Sequence, residues 1–136
     1  MISSGANISE KGNYPILNYK IKSELIAHIL LTRHNTFITI SDRRGKIYLS
    51  NSVGNLTDMR KGRRSIPIAS NFLAHRIGRY LVRRGVKSIY MEFQGDSRKR
   101  PHILRGLESL GIKFRGFSER TGIPYNGTRR RHSSRR

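Results

Sequence analysis

Apolar positions along this chain fall into short blocks whose spacing changes from block to block. Residues 1–24 mix Ser, Gly, Asn and Lys with little periodicity and are expected to form a flexible N-terminal extension. From Leu25 the pattern sharpens. Leu25-Ile26-Ala27-His28-Ile29-Leu30-Leu31 is an apolar run of strand length, followed by a turn at His34-Asn35. Thr36 to Ile40, rich in β-branched and aromatic residues, predicts a second strand. Asp42-Arg43-Arg44-Gly45 predicts a tight turn, with Gly at the left-handed position of a short hairpin loop. Lys46 to Ser52 returns as a third strand, which completes a meander.

Val53 to Arg64 carries Gly54, Asn55, Asp58 and Gly62 and predicts an extended loop. Beyond it, Ile66, Ala69, Leu73, Ile77, Tyr80 and Leu81 recur at three- and four-residue spacing, which places them on one face of a helix. Pro67 suits the first turn, where its missing N–H costs nothing, and Gly85 suits the C-terminal cap. Asn71, His75, Arg76, Arg79 and Arg83 fall on the opposite face. Val86 to Phe93 predicts a fourth strand, and Arg100 to Ser109 a second helix with Ile103, Leu104, Leu107 and Leu110 as its stripe and Gly111 as its stop. Ile112, Phe114 and Phe117 mark a fifth strand. The order βββαβαβ implies an α/β domain, a mixed sheet covered by helices, over 25–120. Residues 121–136 lose all pattern and are expected to be a disordered basic tail.

Charge then narrows the possibilities. In 136 residues, 28 Lys+Arg face 8 Asp+Glu, a formal net charge of +20. Such an imbalance opposes compactness unless a polyanion offsets it, so nucleic acid or an anionic membrane surface is the expected partner. No apolar run reaches the roughly 18 residues of a membrane-spanning helix. The first helix could lie on a membrane with its apolar stripe down, but a core-packed helix gives the same pattern and the strands need a cover. Cysteine is absent, which excludes disulfides and thiolate metal sites. The first twenty residues have neither the apolar centre of a secretory signal nor the Arg-rich, acid-poor character of a transit peptide. The protein is therefore expected to be made where it works, or to have lost its targeting segment.

The cations cluster where regular structure is absent. Arg60-Lys61-Gly62-Arg63-Arg64 precedes the first helix and Arg98-Lys99-Arg100 the second. The third cluster is the tail, with Arg129, Arg130, Arg131, Arg135 and Arg136. Two clusters thus abut helix N-termini, whose free N–H groups attract phosphate, and arginine's planar fork binds phosphate in bidentate fashion. If ~8 of these side chains meet phosphates, affinity for a duplex falls with a log–log salt slope of roughly −7.

Catalytic and metal chemistry find little support. His28, His34, His75, His102 and His132 lack the spacing of a helical metal site, and His28 in an apolar strand reads as a structural residue. A metal-dependent nuclease on a ribonuclease-H-like scaffold is the enzymatic alternative, since such enzymes hold two metal ions with several carboxylates. Asp42 is placed by its turn, Asp58 and Asp96 sit beside arginines, and Glu92 alternates with core positions. Too few acids remain for a convergent site. No catalytic residue, metal or cofactor is expected. Asn126-Gly127 is a turn signal, and Asn before Gly is also prone to cyclise.

Taken together, several segments resemble the universal small-subunit ribosomal protein family number eleven. Ile26-Ala27-His28-Ile29, then Asn35-Thr36-Phe37-Ile38-Thr39-Ile40-Ser41-Asp42 and Gly45, is similar to that family's opening meander. Ser52-Val53-Gly54, Arg60 to Ser65 and Pro67 resemble its loop into the first helix. Ile123-Pro124-Tyr125-Asn126-Gly127 with the arginine tail resembles its C-terminal signature, where His usually replaces Tyr125. The likeness spans about 25–136.

The resemblance implies a ribonuclease-H-like fold without catalytic acids, on the platform of the small subunit. It implies binding to small-subunit rRNA, with neighbouring platform proteins as partners and the messenger exit nearby. Arg60, Lys61, Arg63, Arg64, Arg98, Lys99, Arg100, Arg129, Arg130, Arg131, Arg135 and Arg136 would neutralise phosphate, and Asn35 and Asn126 would shape turns beside RNA. No membrane is involved. The chain departs from the family at its glycine-rich run after strand four, of which only Gly95 remains, and in a tail without paired prolines. Such drift suits a mitochondrial ribosome better than a plastid or bacterial one.

Overall fold

The computed structural model describes residues 23–56, 64–95, 97–129 and 131–132. Five strands form one sheet: β1 (Leu25–Leu31), β2 (Thr36–Asp42), β3 (Ile47–Ser52), β4 (Ser88–Gly95) and β5 (Lys113–Glu119). Their spatial order is β3-β2-β1-β4-β5. The meander β1–β2–β3 is antiparallel, while β4 and β5 run parallel to β1. This is the mixed α/β sheet that the element order implies.

Alternation within β1 decides which face is covered. Leu25, Ala27, Ile29 and Leu31 are buried, and in register with them stand Ile38, Ile40, Met91 and Phe93. Helices α1 (Pro67–Arg83) and α2 (Arg100–Glu108) contribute Ala69, Leu73, Ile77 and Leu81, and Ile103 and Leu107, to the same core. The helices meet through small residues. A Cβ on Gly106 would stand 2.8 Å from the carbonyl of Asn71, and one on Gly78 would stand 2.6 Å from Leu110.

Several sequence expectations shift. The fourth strand starts at Ser88, not Val86, because the N–H of Val86 donates to Leu81 and closes α1, with Gly85 at φ +77 making the turn. The loop after β3 begins as a short 3-10 turn, Val53–Asn55, that buries Val53 completely. Ile66 does not join the apolar face of α1: as the residue before the helix it is 43% exposed. A register shift between β4 and β5 sets Phe117 opposite Met91 and stacked on Phe93, yet on this edge strand it stays 55% exposed.

Candidate nucleic-acid interface

The register fixes which segments share an end of the sheet. Leu31 pairs with Thr36 and with Gly95, Phe37 with Ser52, and Phe93 with Glu119. Strands β1, β3, β4 and β5 therefore finish at one end, where β2 and both helices start. At this end lie the β1–β2 turn with Asn35, the approach to α1 with Arg64, the Arg98-Lys99-Arg100 stretch, and the origin of the tail. The fold thus brings Arg64, the one described cation of the first cluster, to the same end as Arg98, Lys99 and Arg100. Arg60, Lys61 and Arg63 lie outside the described residues, as do Arg130, Arg135 and Arg136 of the tail, along with Asp58 and Asp96.

Both helix starts favour anions. Neither α1 nor α2 has a side-chain cap bond or an acidic residue in its first turn. The N–H groups there keep their positive end of the helix dipole. Arg64 is half-buried, with its guanidinium 3.5 Å from the point where a Cβ on Gly54 would stand. Arg98 is exposed on a short 3-10 turn, Ser97–Lys99.

The next two cations are engaged by the protein itself. Lys99 is only 3% exposed, and its Nζ donates to the carbonyls of Thr32 at 2.8 Å and Arg33 at 3.3 Å. Arg100 donates from Nη2 to Glu119 Oε1 at 2.6 Å and lies over the Phe93 ring, 5.1 Å from its centroid. Bonds from Arg100 and then Thr121 hold the Glu119 carboxyl below its ordinary value of 4.5. The sequence groups Arg98, Lys99 and Arg100 as equals, whereas the fold separates them.

Asn35 shapes its turn as expected: the N–H of Thr36 donates to its Oδ1 at 2.8 Å. Asn126 adopts φ +56, the left-handed conformation that Asn tolerates, and the described tail residues Arg129 and Arg131 are exposed. Three cationic or titratable side chains at this end were not among the RNA contacts expected from the sequence. Arg33 and His34 are exposed on the β1–β2 turn, and Arg120, which follows β5, pairs with Glu92 at 3.2 Å. The signal for the first two was available, because polar residues at a two-strand turn must face water.

The acids do not converge. Asp42 accepts from the N–H groups of Arg44 and Lys46 within its turn. Glu92 faces away from the core as the alternation predicts, and its Oε2 lies 2.7 Å from His28 Nδ1. The other ring nitrogen of His28 lies 2.8 Å from Ser41 Oγ, so this histidine is held by structural partners. Among the described residues no group of three His, Asp or Glu could hold a metal ion. No described helix is long and apolar enough to cross a membrane.

Comparison with known proteins agrees with this geometry. The family Ribosomal protein S11 matches residues 25–136. The small ribosomal subunit protein uS11 of Hydrogenovibrio crunogenus is 34% identical over 110 residues, which cover 81% of this chain and 84% of that protein. Its counterpart in Marinobacter nauticus is 35% identical over 104 residues, covering 76% of this chain and 80% of the relative. That of Bordetella petrii is 34% identical over 107 residues, covering 79% and 80%. On the matched length and the identity together, the chain belongs to the ribosomal protein S11 family, structural components of the small ribosomal subunit and not enzymes.

Proposed function

We propose that the chain binds small-subunit rRNA through the end of the sheet where both helices begin. One observation carries this reading. Two uncapped helix starts, an asparagine-locked turn, Arg64, Arg98 and the root of an arginine tail share one end of a chain with a formal charge of +20. Shape and phosphate contacts suit folded RNA, since side chains cannot read the deep groove of an A-form helix. On this reading 25–120 is the RNA-binding body, 121–136 is a basic tail that adds cations, and 1–24 is an N-terminal extension whose Glu24 pairs with Arg43 and Arg115. Arg60, Lys61, Arg63, Arg130, Arg135 and Arg136, which lie outside the described residues, are proposed as further phosphate contacts.

We further propose that this site lies on the platform, beside neighbouring small-subunit proteins and close to the messenger exit, in a mitochondrial small subunit. The departures at Gly95 to Arg100 and in the tail support an organellar setting, although the matched relatives named above are bacterial. Fractionation tests it. The protein from purified mitochondria should sediment with the small subunit through a high-salt sucrose gradient. Recovery in ribosome-free fractions would overturn the RNA-bound role. Recovery with plastid or bacterial cytoplasmic small subunits would move the location and keep the role.

A further inference from the structure

Lys99 stands in a stretch of three cations, yet it is almost fully buried and its ammonium points inward. Taking an ion out of water is unfavourable unless polar groups replace its hydration. Here the replacements are two carbonyls of the β1–β2 turn, those of Thr32 and Arg33. A lysine retained to meet phosphate would keep its head in solvent and its stem along the surface. Lys99 does the reverse.

The turn it reaches is already stiff. Both the N–H and the Oγ1 of Thr32 donate to the carbonyl of Asn35 at 3.0 Å, and the N–H of Asn35 donates to Thr32 Oγ1 at 3.0 Å. Thr36 joins α1 through a buried hydroxyl contact with Ser70 at 2.8 Å. The turn is therefore fastened within itself, to α1 through Thr36 and to the start of α2 through Lys99. What it holds up is Arg33 and His34, both exposed at the tip.

We propose that Lys99 is a positioning residue and not a phosphate ligand, and that the turn it clamps presents Arg33 and His34 as a preformed contact for RNA phosphate. The inference rests on the RNA-binding reading above and assigns that site two contact residues and their support. Preorganisation is the physical gain: a turn ordered before binding loses no conformational freedom when the phosphate arrives.

The test uses the full chain and a labelled transcript of the small-subunit rRNA, titrated over a range of KCl concentrations. Arg33→Ala with His34→Ala should weaken binding about tenfold and flatten the log–log salt slope by about one contact. Lys99→Met should weaken binding to a similar degree, but add less than about twofold when Arg33 and His34 are already alanine. In the RNA-free chain, Lys99→Met should also speed amide exchange at Asn35 and Thr36 while the Ile38 and Met91 amides keep their protection. Additive losses from the two sets of substitutions would make Lys99 an independent RNA ligand and overturn the proposal. So would wild-type affinity in the Arg33/His34 variant, a result that stands even if Lys99→Met proves unfolded. If the unaltered chain ignores the transcript, the RNA-binding reading fails first and takes this inference with it.

Discussion

The two ends of the sheet carry similar side chains in opposite electrostatic settings. At the end where the helices begin, Arg33, Arg64 and Arg98 stand near uncapped helix starts, so side-chain charge and helix dipoles have the same sign. At the other end lie Arg43, Arg44 and Lys46 of the β2–β3 hairpin, Arg83 in the last turn of α1, and Lys113 and Arg115 of β5. There α1 presents its carbonyls, and a single carboxylate, Glu24, binds both Arg43 at 2.9 Å and Arg115. Ion pairs occur at both ends, Arg100 with Glu119 at the first and Arg43 and Arg115 with Glu24 at the second, but the helix dipoles favour anions only at the first. Net charge alone does not distinguish the two ends.

Glycine substitution sharpens the contrast most. Gly95 closes β4 at the helix-start end with φ +105, and an added Cβ would lie 2.0 Å from the carbonyl oxygen of Leu31. That oxygen belongs to the backbone of the central strand and cannot swing aside. Gly95→Ala should cost at least roughly 3 kcal/mol in urea unfolding, from strain at positive φ plus the clash. Gly45, in the hairpin at the other end, has φ +89 but nothing within 4 Å of an added Cβ. Gly45→Ala should cost only about 1 kcal/mol, the strain alone. Equal losses would mean that the β1–β4 junction is not the tight joint described.

Charge removal is the next contrast. Replacing Arg64 and Arg98 with Ala should reduce the salt slope of rRNA binding by about two contacts, with affinity down roughly tenfold or more. Removing Arg43 and Lys46 together should leave the slope within about half a contact of wild type. If the hairpin pair matters more, the RNA-facing end has been assigned backwards.

A smaller effect follows from Glu24. Glu24→Gln removes the ion pairs with Arg43 and Arg115 and should change stability by less than about 1 kcal/mol, as exposed ion pairs usually do. It should nevertheless raise affinity for unrelated duplex RNA at low salt, because the offset at the second end is gone. A variant that binds such RNA no better than wild type would show that Glu24 does not mask those arginines.

The first contrast was only half legible in the sequence. Apolar alternation in Leu25–Leu31 and the spacing of Ala69, Leu73 and Ile77 locate strands and helix because burial acts on neighbouring residues. The insertion of β1 between β2 and β4 is a long-range pairing that no local period encodes, and it is what brings Arg33, Arg64 and Arg98 to one end. The site was less legible than the fold. Arg98, Lys99 and Arg100 are adjacent and chemically alike, and only the position of the Thr32 and Arg33 carbonyls makes one of them internal. The Glu92 partners His28 and Arg120 are likewise distant in sequence. Local composition marked the basic regions but could not say which cations were already taken.

Acid titration probes the subtlest difference between engaged and solvent-facing arginines. Arg100 is held by Glu119, whose carboxyl is kept below 4.5 first by the Arg100 hydrogen bond and then by Thr121. A carboxyl with a lowered folded value lends stability that is complete above its unfolded value and disappears as pH falls through the folded one. Wild type should therefore resist urea slightly better than Glu119→Gln at neutral pH, and the gap should close as the solution is taken below 4.5. The pair is exposed on the carboxylate side, so the gap should be small and should shrink in high salt as well. Once Glu119 is protonated its ion pair with Arg100 is lost, and the charge of the guanidinium at the helix-start end is no longer offset by that carboxylate. RNA affinity relative to Glu119→Gln should then converge over the same acid range. A stability gap that persists unchanged through that range would show that Arg100 is fixed by the Phe93 ring and the carbonyl of Gly95, and not by the carboxylate.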